Sequence, residues 1–132
     1  MTMSPFYASA HGQARALQEQ ALLAADYPGF TLDVDDDGTP FAHGWIGPSD
    51  SLGGAYHVLL VLPPGYGQGV MPSVHVLEPA LRPGAPHRFL DGSLCLDHSG
   101  AFTRKSTLLT ILAWVSVWLV LYEGWLSTGE PW

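Results

Sequence analysis

The sequence predicts an α+β fold: an N-terminal helix, a four-stranded antiparallel meander sheet, a long loop and a buried C-terminal helix. Three observations predict it. Apolar residues recur every three or four positions ahead of residue 27. Four short runs of strand character follow at close spacing between residues 30 and 77. An uncharged, strongly apolar stretch lies near the end of the chain.

The first element runs from Ser9 to Asp26, where Ala14, Leu17, Ala21 and Ala25 form an apolar stripe between Gln and Glu residues, and Tyr27-Pro28-Gly29 stops it. Phe30, Leu32 and Val34 alternate with Thr31, Asp33 and Asp35, the pattern of a half-buried strand. Asp36-Asp37-Gly38 is a turn and Phe41 to Ile46 a second strand, so the pair reads as an antiparallel hairpin. Gly47-Pro48 and Gly53-Gly54 bracket a loop. Ala55 to Leu62 is apolar on both faces, as a central strand is, and Pro63-Pro64-Gly65 ends it. Ser73 to Leu77 is the fourth strand.

Ser106 to Tyr122 contains seventeen residues without a charge. That is the lower limit for a membrane span of ~17–25 residues, and Arg104 and Lys105 would provide a basic flank. Glu123 follows at once, however, and the preceding strands need a helix to cover them. The reading is therefore a helix buried in a protein core.

Composition narrows the function classes. A chain of 132 residues with 47% apolar and 13% charged residues builds one core, so a single domain over residues 1–132 is expected. The formal net charge is −7, with five basic residues in all, which excludes a phosphate-tracking nucleic-acid surface and disfavours an anionic membrane. A single cysteine forms no intrachain disulfide, and Met1 to Ala10 lacks the basic and apolar regions of a signal peptide. A cytoplasmic protein is expected.

Glu78 to Thr103 has neither helical nor strand period, and a structureless loop of that length in a compact domain is usually functional. It holds the only cysteine, Cys95, within Ala85-Pro86-His87-Arg88-Phe89-Leu90-Asp91-Gly92-Ser93-Leu94-Cys95-Leu96. This stretch resembles the active site of ubiquitin-conjugating enzymes, in which an H-P-N tripeptide precedes G-x-[IL]-C-L. Gly92 to Leu96 matches the second element at every position. Pro86 falls on the motif's proline and His87, eight residues before Cys95, on its asparagine, while Ala85 stands where the family has histidine. Gly53-Gly54-Ala55-Tyr56 resembles the family's G-G-x-F/Y leading into its third strand. Pro63-Pro64-Gly65-Tyr66 through Met71-Pro72 loosely resembles its Y-P-x-x-P-P turn. Trp114, Trp118-Leu119, Tyr122-Glu123, Trp125, Thr128-Gly129 and Trp132 resemble a pattern of bacterial homologues in antiphage defence operons.

The resemblance implies a ubiquitin-conjugating-like fold and an acyl-carrier transferase without a cofactor. Cys95 would accept the C-terminus of a ubiquitin-like protein, or of a cGAS-like nucleotidyltransferase, as a thioester from an activating enzyme and pass it to an amine. A thiol suits this because thiolate is both nucleophile and leaving group. The family's asparagine steadies the loop and stabilises the oxyanion. His87 would do so as an N–H donor, or would act as general base, since an imidazole titrates near neutrality. Asp91 and Ser93, beside the motif, and Asp97 and His98, beyond the cysteine, are candidate substrate-binding residues. Cys95 and His98 have C-x-x-H spacing, but zinc needs two more ligands, so no metal is expected. The tryptophans of the last helix read as core packing, and His43 and His57 as structural residues within strands. The competing reading is a non-catalytic scaffold of the same fold that binds a ubiquitin-like protein. Relatives of that kind typically lack the cysteine.

Overall fold

The computed structural model describes residues 10–47, 55–97 and 100–132. Helix α1 (Ala10–Asp26) is followed by strands β1 (Thr31–Val34), β2 (Pro40–Ile46) and β3 (Tyr56–Val61). A 3₁₀ turn (Tyr66–Gln68), strand β4 (Ser73–Glu78) and helix α2 (Leu108–Thr128) complete the order. The sheet order is β1-β2-β3-β4 with every pair antiparallel, so the meander is the expected one.

Alternation decides which face is covered. In β2, Pro40, Ala42, Gly44 and Ile46 are buried, and in β3, Tyr56, Val58 and Leu60. The register sets Ala42 opposite Leu60 and Gly44 opposite Val58. Gly44 has no room for a side chain, because a Cβ there would lie 2.5 Å from the Gly29 carbonyl oxygen and 2.6 Å from the Phe30 ring. The β1–β2 turn is closed by Asp35, whose Oδ1 accepts from the Asp37 and Thr39 main-chain N–H groups. On the opposite face His43 Nδ1 lies 3.1 Å from His57 Nε2, and His57 stacks on Trp45. Strand β3 is central, paired on both sides, with only one face fully buried.

Helix α1 forms where its sequence predicts, but the stripe of Ala14, Leu17, Ala21 and Ala25 faces outward, with Leu17 75% exposed. The inward residues are Gly12, Ala16, Glu19 and Leu23. The helix is turned by the partners found for Glu19. Its Oε2 accepts from the Tyr66 hydroxyl and, at 3.1 Å, from the main-chain N–H of Leu108, the first residue of α2. Arg15, four residues earlier, donates to the Arg104 and Ser106 carbonyls and lies 5.2 Å from the centre of the Tyr66 ring. Burial raises the Glu19 carboxyl above its ordinary range, against the lowering effects of the Tyr66 and Leu108 hydrogen bonds and the Arg15 charge.

Helix α2 begins at a capping box between Thr107 and Thr110 and ends at Gly129, whose φ of 77° is the left-handed C-cap that glycine adopts without strain. It continues past the predicted stretch, since nothing from Glu123 to Thr128 interrupts helix hydrogen bonding. Leu108, Ile111, Leu112, Val115, Trp118, Leu119 and Tyr122 are buried in one cluster with the inward residues of β2, β3 and β4. Each fully buried aliphatic side chain contributes ~1.5–3 kcal/mol. By length and composition this helix would also cross a membrane. Here one face enters the core, while Ala113, Val117, Val120 and Leu121 stay exposed.

Candidate active site

The loop between β4 and α2 carries no helix or strand among the described residues, yet most of its turns are tied down. Near its start, Arg82 N–H donates to the Tyr122 hydroxyl of α2 at 2.8 Å. Arg88 and Leu94 then form an isolated antiparallel bridge around a tight turn, with Phe89 N–H to Ser93 O and Gly92 N–H to Phe89 O both at 2.9 Å. Gly92 has φ 90°, a conformation that explains glycine at this motif position. Asp91 Oδ1 accepts from the Ser93 N–H at 2.9 Å and the Ser93 hydroxyl at 2.6 Å. The Ser93 hydrogen bonds hold the Asp91 carboxyl below its usual range. Leu94 N–H donates to Val74 O of β4 at 2.9 Å, docking the turn on the sheet edge.

This framework positions Cys95. Its main-chain N–H donates to the His87 carbonyl at 2.8 Å, and the same carbonyl accepts from the indole N–H of Trp118 at 3.3 Å. The eight-residue spacing of the motif is thus closed into one hydrogen-bonded unit and fastened to α2. His87 has φ 58°, the one non-glycine with positive φ among the described residues. Asn, Asp and His are the non-glycine side chains that best tolerate that region, so a histidine suits this position.

The His87 ring faces the end of the chain. Its Nε2 lies 2.6 Å from the Trp132 main-chain oxygen, which can only accept, so Nε2 carries the proton. The His87 and Trp132 ring centres are 5.5 Å apart, and Trp132 meets Trp118 edge-on at 5.4 Å. Cys95, Leu96, Trp114, Val117, Trp118, Leu121 and Trp132 enclose a cleft of about 230 Å³.

The sequence-derived candidates therefore separate by position. Cys95 and His87 are joined directly. Asp91 and Ser93 are paired with each other in the preceding turn. Asp97 lies after the cysteine, where its two carboxylate oxygens accept from Ala101 N–H at 2.8 Å and Phe102 N–H at 3.0 Å. His98 lies outside the described residues. Among the described residues no group of three His, Cys, Asp or Glu side chains is placed to hold a metal ion. Trp132 belongs to the site, a role that the sequence alone does not assign to it. Its role depends on a contact across 45 residues, which no local spacing reveals. Trp114 and Trp118 serve both purposes, since Trp118 is buried and both line the cleft.

No curated protein matches this chain. A family model described as Type II CBASS E2 protein matches residues 19–132, a span that includes the whole sheet, the Cys95 loop and α2. The chain belongs to that family, the E2-like proteins of bacterial CBASS antiphage defence.

Proposed function

We propose that the chain, acting over residues 1–132 as one catalytic domain in the cytoplasm, transfers an acyl group held as a thioester on Cys95. The observation that carries this reading is the fastening of Cys95 to His87 at the rim of a cleft, on a loop braced by β4 and α2. The acyl donor is the C-terminus of a ubiquitin-like protein or of a nucleotidyltransferase, already activated as a thioester on an activating enzyme. The Cys95 thiolate attacks its carbonyl, the activating enzyme's thiolate leaves, and a new thioester forms with little change in free energy. An amine then attacks that thioester, the Cys95 thiolate leaves, and the amine's proton passes to a base.

His87 is that base. Its Nε2–H donates to the Trp132 main-chain oxygen, which fixes the orientation of the ring. Asp91 and Ser93 act by holding the loop in shape around the bound acyl group, and Asp97 and His98 act as substrate-binding residues for the amine. Helix α2 serves as a core helix.

Reconstitution with an activating enzyme, its carrier, ATP and an amine target tests the reading. Cys95→Ala abolishes the carrier–target conjugate if Cys95 carries the acyl group. Conjugation that survives Cys95→Ala would instead identify the chain as a scaffold.

A further inference from the structure

The cleft beside Cys95 has an apolar lining that acyl transfer by itself does not require. Leu96, Trp114, Val117, Trp118, Leu121 and Trp132 surround it, and among the described residues no charged side chain does. The lining continues onto the surface, where Val117 is 59% exposed and Val120 and Leu121 are each 39% exposed. A continuous apolar strip of this kind on a water-facing helix marks a contact surface. Its volume of about 230 Å³ is below the ~300–1,000 Å³ of pockets for drug-sized ligands and suits one large side chain.

We propose that this cleft seats a large apolar side chain of the acyl donor, located within the last three residues before the reacting carboxyl. The occupant follows from the wall. Cys95 is part of the lining, so whatever is bonded to its sulfur is tethered at the cleft. An extended chain advances ~3.3 Å per residue, so only the residues next to the thioester carbonyl reach the space between Cys95 and α2. Charge points the same way, because among the described lining residues a basic tail would meet indole and aliphatic side chains and no carboxylate side chain, and an acidic one would meet a protein of net charge −7. The inference rests on the thioester reading and specifies the substrate class of the same site.

Cys95 is the only cysteine, so intact mass reports its modification without ambiguity. N-benzyl- and N-(2-hydroxyethyl)iodoacetamide alkylate it by forming the same sulfur–carbon bond with loss of iodide. The rate ratio of the two reagents, divided by that for glutathione, isolates recognition by the cleft. The expected ratio is about tenfold in favour of benzyl, falling below about threefold in Val117→Gln. Val117 is solvent-facing and glutamine a good helix former, and a matching thermal melt confirms the fold. A ratio near one in the parent chain overturns the proposal. So does a ratio that falls as protein concentration rises while sedimentation shows a dimer, because the cleft then seats a second copy. Peptide thioesters carrying Leu, Phe, Lys or Asp two residues from the carboxyl separate this inference from the reading beneath it. Faster charging of Cys95 by the Leu and Phe peptides supports it. Equal charging by all four refutes the apolar assignment alone, and no charging by any of them refutes acyl transfer and the assigned occupant together.

Discussion

His87 combines a left-handed backbone, a carbonyl shared by Cys95 and Trp118, and a ring fixed by Trp132. A residue in that conformation stores of order 1–3 kcal/mol, and the three surrounding contacts are what hold it there. Two substitutions separate backbone from ring. His87→Asn retains a side chain suited to positive φ, so its thermal stability stays near that of the parent. His87→Val places a β-branched residue at the same φ and lowers stability by ~1–2 kcal/mol, measured by chemical denaturation. In both variants loading of Cys95 proceeds, since thioester exchange needs no base at His87. Discharge of the preloaded thioester to an amine slows about 10²-fold in His87→Asn. Discharge by His87→Asn at the parent rate would assign the position to loop geometry or oxyanion donation instead. The residue pair itself was legible in the sequence because Gly92, Leu94, Cys95 and Leu96 stand at fixed offsets. The tautomer was not, because the Trp132 oxygen comes from the far end of the chain.

Among the elements, the clasp between α1 and the start of α2 depends on Glu19. Its Oε2 receives both the Tyr66 hydroxyl and the Leu108 N–H, at the positive end of the helix dipole. Burial nonetheless raises the folded carboxyl's pKa above the usual 4.5. Between the unfolded and folded values the native chain binds more protons than the unfolded one, so this group's contribution to stability falls as pH rises through that window. Glu19→Gln keeps an acceptor and removes the titration. Its melting temperature should match the parent's near pH 4.5 and equal or exceed it at pH 8. Glu19→Ala leaves two buried donors unpaired and should cost ~2–4 kcal/mol at either pH. A parent whose stability rises with pH across this window, relative to Glu19→Gln, would contradict the account. The same residue explains why the orientation of α1 was not legible. Spacing alone places Leu17 inside and Glu19 outside, whereas Glu19 finds its partners 47 and 89 residues along the chain. The strands were easier to read: in β1 the alternation of Thr31 and Asp33 with Leu32 and Val34 matches exposure residue by residue, whereas β3, apolar on both faces in sequence, has one face fully buried.

At the scale of the whole molecule, the order of elements followed from sequence because each strand pairs with its neighbour along the chain. The apolar stretch of α2 was ambiguous for a physical reason. Its residues line the protein core on one side and the cleft and surface on the other, so no polar face breaks the pattern. The fold joins these features at one place: β4 holds the loop, α2 holds the His87 carbonyl, and the chain end holds the His87 ring, with Cys95 among them. The central claim is that this arrangement carries an acyl group on sulfur. The most direct measurement is intact mass of the protein after incubation with an activating enzyme, its carrier and ATP. The account predicts one added carrier mass, less one water, that excess thiol removes and that Cys95→Ala never acquires. A carrier adduct that resists thiol, or one that persists in Cys95→Ala, would contradict it.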